Sequence, residues 1–336
     1  MFPDEARVAE HMRELALSVE SAPVRPTPNP RVGCRLITTD GTLIAEGIHG
    51  TDGAKHAEVI ALERAGGEAR GAHALVTLEP CAHFGKTPPC ADALLAAGVA
   101  SVWFSHSDPT SAAGGAALVR EAGVAVFGGV ETESTRGALE PWLHFQSSGR
   151  PFVTLKLAAT LDGYVAAPDG SSKWITGPAA RARVHRLRAQ VDAVLVGTGT
   201  VLADDPRLDV RLEGDWPQPR VFVLGERELP DGLAISGRHT HFRHRDLERA
   251  LTDLAVEGVQ HVLIEGGAGL AQAFLKADLV DQLLWFAAPK LIGGGLPAVS
   301  GLGLSSIDLA QSWRVLNLHQ IGVDVAIDLR RVHSAD

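Results

Sequence analysis

Short apolar segments alternate with helical segments along nearly the whole chain, and this alternation limits the fold more than any other feature. In the first half, predicted strands at 73–78, 100–105 and 124–127 are separated by predicted helices at 89–97 and 114–122. Strands that are separated by helices of about ten residues indicate a layered sheet with helices on its faces. The predicted fold class is therefore α/β.

The remaining predicted elements continue this pattern on both sides of one break. The segment 147–151, Ser-Ser-Gly-Arg-Pro, is the clearest linker signal in the chain. We therefore predict two α/β domains, 1–147 and 151–336, because single cores rarely exceed roughly 250 residues and the chain has 336. The other predicted helices are 4–20, 55–65, 131–147, 178–189, 245–257 and 268–277, and the other predicted strands are 32–38, 43–47, 152–158, 191–197, 220–224, 260–264 and 282–287, with two more within 313–329.

The charge balance and the cysteine count exclude several classes of protein. With 31 Lys and Arg against 40 Asp and Glu, the net charge of −9 argues against a large nonspecific nucleic-acid surface. No apolar run approaches the roughly 18 residues of a membrane span, and the acidic start lacks the order of a signal peptide. Three cysteines cannot form a disulfide framework, which favours a reducing compartment. We expect a soluble, cytoplasmic protein without nucleic-acid or membrane partners.

One histidine and two cysteines in the first half have the spacing of a metal site. His56, Cys81 and Cys90 offer an imidazole and two thiolates, which predicts a zinc site with one open position. Cys90 falls in the first turn of a predicted helix, where the thiolate form is stabilised. Glu58 cannot easily bind the same ion but can reach its open position and carry a proton there. This H-x-E…P-C…C order is typical of zinc-dependent base deaminases.

The sequence around the two cysteines resembles a known enzyme family. The segment 80–90, PCAHFGKTPPC, is similar to the deaminase half of the bifunctional riboflavin-biosynthesis deaminase–reductases, as are PNPRVGC at 28–34 and TLEP at 77–80. The resemblance implies a cytidine-deaminase-like α/β/α layered domain, in which the three ligands hold Zn²⁺ and Glu58 moves the proton. It also implies that Asn29 contacts the pyrimidine.

The long loop between the two cysteines suggests a place for the phosphate of a phosphoribosyl group. His83 or Lys86 could supply the cation; the alternative for Lys86 is a solvated loop charge, and the phosphate role is modestly favoured. After the predicted strand at 100–105 the family usually has Asp-Pro-Asn-Pro and then Gly-x-Gly, whereas this chain reads DPTSAAGG at 108–115. The sequence therefore leaves the conformation of that loop open.

The second half lacks the G-x-G-x-x-G fingerprint of ordinary dinucleotide-binding domains after its first strand. Glycine-bearing turns instead follow two later strands, at 194–200 and 263–269. The second turn opens a predicted helix whose free N–H groups could receive a pyrophosphate. Glycines at strand ends more often serve only turn geometry, so neither turn is specific by itself.

Three segments of the second half resemble the reductase half of the same family: KLAATLDG at 156–163, WITG at 174–177 and VLADDP at 201–206. The resemblance implies a dihydrofolate-reductase-like α/β domain that uses NADPH. It assigns NADPH contacts to Ala158, Trp174, Thr200, Asp204, Gly267, Ala268, Gly269, Leu270, Ala271, Gln272 and Ala273. It assigns the phosphorylated sugar substrate to Ser172, Arg188, Leu208, Arg211 and Glu265.

The arginines in these sets have a clear chemical use. Arg188 and Arg211 could grip a phosphate as two-pronged donors, although either could form a surface ion pair instead. Glu265 could accept hydrogen bonds from ribose hydroxyls. Lys156 and Asp162 are the two candidates for the proton donor of the reduction.

We therefore expect a bifunctional enzyme of riboflavin biosynthesis with Zn²⁺ and NADPH as cofactors. Its substrate would be the small molecule 2,5-diamino-6-(5-phosphoribosylamino)pyrimidin-4(3H)-one, which is deaminated before its ribosyl group is reduced to ribityl. Homo-oligomers are common in this family.

Two other functions use the same residues. A nucleic-acid base deaminase would need a basic groove and would not bind NADPH. A non-catalytic module with a structural zinc would need a fourth protein ligand, Cys34 or His83, whereas Cys34 is expected to be a core residue.

Overall fold

The computed structural model describes residues 2–85 and 88–332 and divides into two compact units, 1–149 and 150–336. The first unit contains a five-stranded sheet and, apart from one short 3₁₀ turn, five helices among its described residues. Its helices are α1 (Glu5–Ser21), α2 (Ala57–Ala65), α3 (Cys90–Ala97), α4 (Gly115–Glu121) and α5 (Thr132–Ser148), and its strands are β1 (Gly33–Ile37), β2 (Leu43–Ile48), β3 (His73–Leu78), β4 (Ser101–His106) and β5 (Ala125–Gly128).

The sheet of the first unit has the order β2-β1-β3-β4-β5 and lies between helical layers. β3, β4 and β5 are parallel, and β1 is antiparallel to both of its neighbours. On one face α1 buries an apolar stripe at helical spacing, which consists of Val8, Met12, Leu15 and Val19. On the other face α2, α3 and α4 contribute Ala61, Leu94 and Val119 to a second core.

A glycine lets α2 pack unusually close to β2. A Cβ atom on Gly47 would overlap the carbonyl oxygen of Ala57, the first residue of α2. Any side chain at this position would therefore push the start of the helix away from the sheet. Since His56 caps α2 and Glu58 lies in its first turn, Gly47 helps to fix the position of both residues.

The second unit is built on an eight-stranded sheet, with a separate two-stranded sheet beside it. Its helices are α6 (Pro178–Gln190), α7 (Thr198–Asp204), α8 (Leu247–Val256) and α9 (Ala268–Lys276), and its strands are β6 (Phe152–Thr160), β7 (Tyr164–Ala166), β8 (Ala193–Gly197), β9 (Arg220–Leu224), β10 (His239–Phe242), β11 (His261–Ile264), β12 (Gln282–Ala288), β13 (Leu296–Pro297), β14 (Trp313–Ile321) and β15 (Asp324–Arg331).

The large sheet has the order β10-β9-β8-β11-β6-β12-β15-β14. The six strands from β10 to β12 are parallel, and β15 and β14 complete the sheet in antiparallel pairing. Apolar residues of α8 and α9 pack on one face, while α6 and α7 cover the other face. The carboxyl ends of the parallel strands therefore meet at one edge, where ligands commonly bind in sheets of this kind.

The α/β fold class predicted from the sequence is confirmed. Four short elements of the second unit were missed, namely β7, α7, β10 and β13. α7 begins Thr-Gly-Thr, which are poor helix formers, and β10 has the half-polar sequence His-Thr-His-Phe at a sheet edge. Within the residues that the structure describes, no helix combines the length and the apolar character needed to cross a bilayer.

Candidate active sites

Three side chains of the first unit converge on a point beside the start of α2. His56 lies directly before α2, Cys81 follows β3, and Cys90 is the first residue of α3. The His56 Nδ1 atom is 3.2 Å from the Cys90 Sγ atom and 3.6 Å from the Cys81 Sγ atom. Tetrahedral zinc, with bonds of about 2.1 Å to nitrogen and 2.3 Å to sulfur, places its ligand atoms roughly 3.6 Å apart. The cluster therefore fits one zinc ion.

The two cysteines of this cluster differ in their protonation. Hydrogen bonds from the Cys90 thiol and from His56, together with the Cys90 backbone N–H at 3.3 Å, lower the pKa of Cys81 to about 4. The pKa of Cys90 is raised, because its thiol donates to Cys81 and because it is buried. Cys81 is therefore a thiolate at neutral pH, the form in which cysteine binds metals.

Glu58 lies in the first turn of α2 beside the metal cluster. Only 3% of the residue is exposed, and this burial raises the pKa of its carboxyl group. Its side chain lines a cavity of about 410 Å³ together with His56 and Cys81. A carboxyl with a raised pKa next to a metal site can accept a proton in one step and return it in the next.

Asn29 and His49 line the same cavity and are hydrogen-bonded to each other. The His49 Nδ1 atom is 3.0 Å from the carbonyl oxygen of Lys55, and its Nε2 atom is 3.2 Å from the Asn29 Nδ2 atom. Because a carbonyl oxygen can only accept, Nδ1 carries the hydrogen and Nε2 accepts from the Asn29 amide. This arrangement leaves the amide oxygen of Asn29 available to a ligand.

His83 also lines this cavity, whereas Lys86 falls outside the described residues. The metal-ligand group found among the described residues consists of His56, Cys81 and Cys90. Cys34 lies fully buried in β1, in the core beneath α2, and burial raises the pKa of its thiol well above the usual range. The described residues therefore supply no fourth protein ligand, which is the arrangement of a catalytic rather than a structural zinc site.

Glu79 organises the loop whose sequence departs from the family pattern. Its carboxylate accepts the backbone N–H groups of Gly114 at 3.1 Å, Ala116 at 3.3 Å and Asp108 at 3.4 Å. A Cβ atom on Gly115 would overlap the Pro80 carbonyl oxygen, so this loop packs directly on the chain before Cys81. Glu79 is part of the TLEP motif, but the sequence did not predict its role, because its partners lie about 30 or more residues away in the chain.

A larger cavity, of about 930 Å³, lies in the second unit at the carboxyl edge of the eight-stranded sheet. Most of the residues that the resemblance assigned to this half line it. They are Ala158, Ser172, Trp174, Arg188, Thr200, Asp204, Leu208, Glu265, Gly267, Ala268, Gly269, Leu270 and Ala273.

Three of the assigned residues, Ala271, Gln272 and Arg211, are not among those lining the cavity. Ala271 is only 1% exposed and packs in the core beneath α9, because consecutive residues of a helix cannot all face one side. The Arg211 guanidinium forms an ion pair with Asp209.

The turn before α9 fits the phosphates of a dinucleotide. The Gly267 N–H donates to the Thr200 Oγ1 atom at 2.9 Å, which ties this turn to α7. Gly267 and Gly269 are exposed, and among the described residues the N-cap of α9 makes no side-chain capping hydrogen bond. A helix N-terminus of this kind binds pyrophosphate well, and the cavity has the volume of a cofactor site.

Arg188 and Glu265 form a two-pronged ion pair that lines the same cavity. Burial alone would raise the pKa of Glu265, but the charge and hydrogen bonds of Arg188 outweigh it and lower the pKa. The fork of Arg188 is therefore occupied by Glu265, and a phosphate would have to share it. Sequence reasoning did not find three other arginines that line this cavity, which are Arg181, Arg227 and Arg245.

Comparisons with known proteins match both units. The family model described as "RibD C-terminal domain" matches residues 151–327, and the one described as "Cytidine and deoxycytidylate deaminase zinc-binding region" matches residues 6–106. The riboflavin biosynthesis protein RibD of Mycobacterium tuberculosis is 44% identical over 313 residues, covering 90% of this chain and 91% of that protein. The RibD protein of Escherichia coli K12 is 38% identical over 343 residues, covering 90% and 93%.

Solved structures agree over almost the full length. Acinetobacter baumannii RibD in its form 1 superposes with a TM-score of 0.87 at 33% identity, covering 98% of this chain and 100% of that one. The diaminohydroxyphosphoribosylaminopyrimidine deaminase/5-amino-6-(5-phosphoribosylamino)uracil reductase of Thermotoga maritima gives 0.85 at 33% identity, covering 98% and 99%. The predicted cofactors, zinc and NADPH, are those of this type of enzyme. The chain belongs to the RibD family of bifunctional deaminase–reductases of riboflavin biosynthesis.

Proposed function

We propose that the two units catalyse consecutive reactions on one small molecule. Residues 1–147 would deaminate 2,5-diamino-6-(5-phosphoribosylamino)pyrimidin-4(3H)-one, and residues 151–336 would use NADPH to reduce its ribosyl group to ribityl. The observation that carries the proposal is the cluster of His56, Cys81 and Cys90 beside the buried carboxyl of Glu58. The Thermotoga maritima protein, whose name gives both activities, supports it.

In the deamination, His56, Cys81 and Cys90 would hold the zinc ion, which would supply the Lewis acidity that makes water nucleophilic near neutral pH. Glu58 takes a proton from the attacking water and delivers it to the amino group, which leaves as ammonia. One carbon–nitrogen bond breaks and one carbon–oxygen bond forms, so the reaction is a hydrolysis. Asn29 and His83 line the same cavity and would orient the pyrimidine and its phosphoribosyl group.

In the reduction, a bound NADPH would supply the hydride needed by the open-chain aldehyde or Schiff base of the sugar. The turn before α9 would hold the cofactor phosphates, and Glu265 would accept hydrogen bonds from the sugar hydroxyls. Asp162 is a poor proton donor, because hydrogen bonds from the Thr160 hydroxyl and from the Ile292 and Gly293 backbone lower its pKa. Lys156, whose pKa burial lowers and which lines the cavity near Glu265, is the better donor.

We also propose that the enzyme works in the cytoplasm as a homo-oligomer on a free small molecule rather than on nucleic acid. Three cysteines are too few for a disulfide framework, which favours a reducing compartment. β14 is an edge strand whose Val315 and Leu318 side chains are 56% and 65% exposed, and such edges favour pairing with another chain. The net charge of −9 disfavours a nucleic-acid partner.

A coupled assay tests both reactions in the full chain. The zinc-loaded protein is incubated with the diaminopyrimidine phosphoriboside and NADPH, while ammonia and the near-ultraviolet absorbance of NADPH are followed together. We expect ammonia release to precede NADPH oxidation. If a folded Glu58→Ala variant loses NADPH oxidation on the deaminated substrate as well as ammonia release, the model of two separate sites is wrong.

A further inference from the structure

Two arginines line the cofactor cavity beside the carboxyl ends of neighbouring strands. Arg227 follows β9 by three residues and Arg245 follows β10 by three residues, and both line the 930 Å³ cavity. β9 and β10 are parallel, with Leu224 opposite Phe242, so the two loops leave the sheet side by side. The structure thus gathers two guanidinium groups on one side of the cavity.

The loop that carries Arg227 begins at Gly225, which contacts both β10 and the first residue of α7. The Gly225 N–H donates to the Phe242 carbonyl at 3.1 Å, and the His241 Nε2–H donates to the Gly225 carbonyl at 2.7 Å. Gly225 has a φ of +136°, and a Cβ atom there would lie 2.5 Å from the Thr198 Oγ1 atom, so the position requires glycine. These contacts fix the direction in which the loop leaves β9.

Arg227 reaches from this loop to the backbone of α7. A Cβ atom on Gly199 would lie 2.6 Å from the Arg227 Nη2 atom, so the missing side chain of Gly199 makes room for the guanidinium. The next residue, Thr200, accepts the hydrogen bond from Gly267 at the start of α9. Arg227 thus lies against the residue that precedes Thr200, and Thr200 is bonded to the turn that we propose for the cofactor pyrophosphate.

The charges around Arg227 leave it without a carboxylate partner. Glu226 lies 3.3 Å from Arg245, and Glu228 pairs with Arg243, whereas Arg227 contacts no carboxylate within the described parts of the chain. Elsewhere in the cavity Arg188 pairs with Glu265.

Arg181 is the other cavity arginine to consider. It lies over the Trp174 ring at 4.5 Å and donates to the Thr176 carbonyl. Arg181 also has no carboxylate partner among the described residues, but Trp174 and Thr176 hold its guanidinium, whereas Arg227 lies against Gly199, the residue before Thr200.

We propose that Arg227, assisted by Arg245, binds the 2′-phosphate of NADPH and makes the reductase select NADPH over NADH. The two cofactors differ only in that phosphate, which carries close to two negative charges at neutral pH. A planar guanidinium can donate two parallel hydrogen bonds to it, and arginine is a common partner of this phosphate in dinucleotide sites. The exposed pair of Arg245 with Glu226 is weak enough for Arg245 to share its charge. The inference rests on the proposed reductase function.

The test compares cofactor binding without substrate in the full chain. Dissociation constants for NADPH and NADH are measured by cofactor fluorescence for the wild type and for Arg227→Ala and Arg245→Ala. Arg243→Ala is the matched control, because Arg243 also pairs with a neighbouring glutamate but is not among the residues that line the cavity. Adenosine 2′,5′-bisphosphate serves as a competitor that carries the 2′-phosphate without the nicotinamide.

We expect Arg227→Ala to raise the dissociation constant for NADPH about tenfold or more and that for NADH by less than about twofold. Arg245→Ala should have a smaller effect of the same kind, and Arg243→Ala should behave as the wild type. The bisphosphate should compete in the wild type and fail in Arg227→Ala. An unchanged dissociation constant for NADH and an unchanged thermal unfolding curve report that the second unit of each variant is folded.

Two other outcomes would overturn the inference while leaving the reductase function intact. In the first, Arg227→Ala weakens NADPH and NADH equally. In the second, the preference for NADPH survives in Arg227→Ala and disappears in Arg181→Ala. If the wild type binds neither dinucleotide, the proposed reductase function itself fails.

Discussion

The guanidinium of Arg188 and the carboxylate of Glu265 are joined by two hydrogen bonds, with Nε 2.6 Å from Oε1 and Nη2 2.8 Å from Oε2. Both side chains are 11% exposed, although they line a cavity, and Arg188 also donates to the Asp209 carbonyl. Replacing one partner of such a buried ion pair lowers the stability of the fold, because the remaining charge stays buried without its partner.

The Arg188–Glu265 pair predicts that the difference in stability between the wild type and Glu265→Gln depends on pH. Glu265→Gln should lower the free energy of unfolding by about 3 kcal/mol at pH 7, because it leaves Arg188 unpaired. Since the folded pKa of Glu265 is lowered, its contribution is fully present above the unfolded value of about 4.3 and is lost as the pH falls through the folded pKa. Urea unfolding of both proteins should therefore show a stability gap that is constant from pH 7 to about pH 4.3 and narrows below it. A gap that does not narrow below about pH 4.3 would contradict the assignment.

Replacing the proton carrier should separate the two activities. Glu58→Gln keeps the shape of the side chain but cannot accept a proton, so ammonia release should fall by roughly 10²- to 10⁴-fold. Zinc content and NADPH oxidation on the deaminated substrate should stay at wild-type levels. Glu63→Gln, on the exposed side of α2, is the matched control and should leave both activities unchanged. Equal loss in the two variants would point to damage of α2 rather than to a lost proton transfer.

The three cysteines should differ in their effect on zinc. Cys81→Ser and Cys90→Ser each remove a thiolate ligand, so the purified chain should hold much less than one zinc per molecule. Cys34→Ala removes only a core side chain and should keep one zinc while losing about 1 kcal/mol of stability. Metal analysis by atomic emission gives the readout. Loss of zinc in Cys34→Ala would indicate a closed, structural site.

The close contact at Gly47 predicts an indirect effect on the same site. Gly47→Ala would push the start of α2 away from β2, so stability should fall by about 1–3 kcal/mol and zinc should be lost at lower chelator concentration. Gly67→Ala is the control, because no heavy atom lies within 4 Å of a Cβ atom there. Chelator titrations and thermal unfolding of the two variants decide the question. Equal zinc retention in both would show that α2 tolerates the shift.

Much of the zinc site could be predicted because its signal is local. His56 and Glu58 are two residues apart, and Cys81 and Cys90 each lie next to a predicted element, so spacing alone indicates that they meet. Contacts between distant segments carry no such signal. Arg188 and Glu265 are 77 residues apart, and nothing in either neighbourhood indicates that they pair.

Helix geometry and the order of strands in the sheet explain the other differences between the predicted and the observed lining of the second cavity. A run of assigned residues such as 267–273 cannot all face one cavity once α9 forms, and Ala271 turns into the core as a result. Arg227 and Arg245 line the same cavity because β9 and β10 are neighbours in the sheet, and β10 is too short and too polar to be predicted.

The hydrogen bonds from Asn29 to His49 and from His49 to Lys55 have a consequence for selectivity in the deaminase cavity. They fix the Asn29 amide in one of its two orientations before a ligand arrives, so binding loses little additional side-chain entropy there. If Asn29 contacts the pyrimidine as proposed, its amide oxygen would favour a ring that has an N–H group at that position. A ring analogue with a bare nitrogen or a carbonyl at the same position would set two lone pairs against each other, and the enzyme should discriminate against it without any change in the size of the cavity.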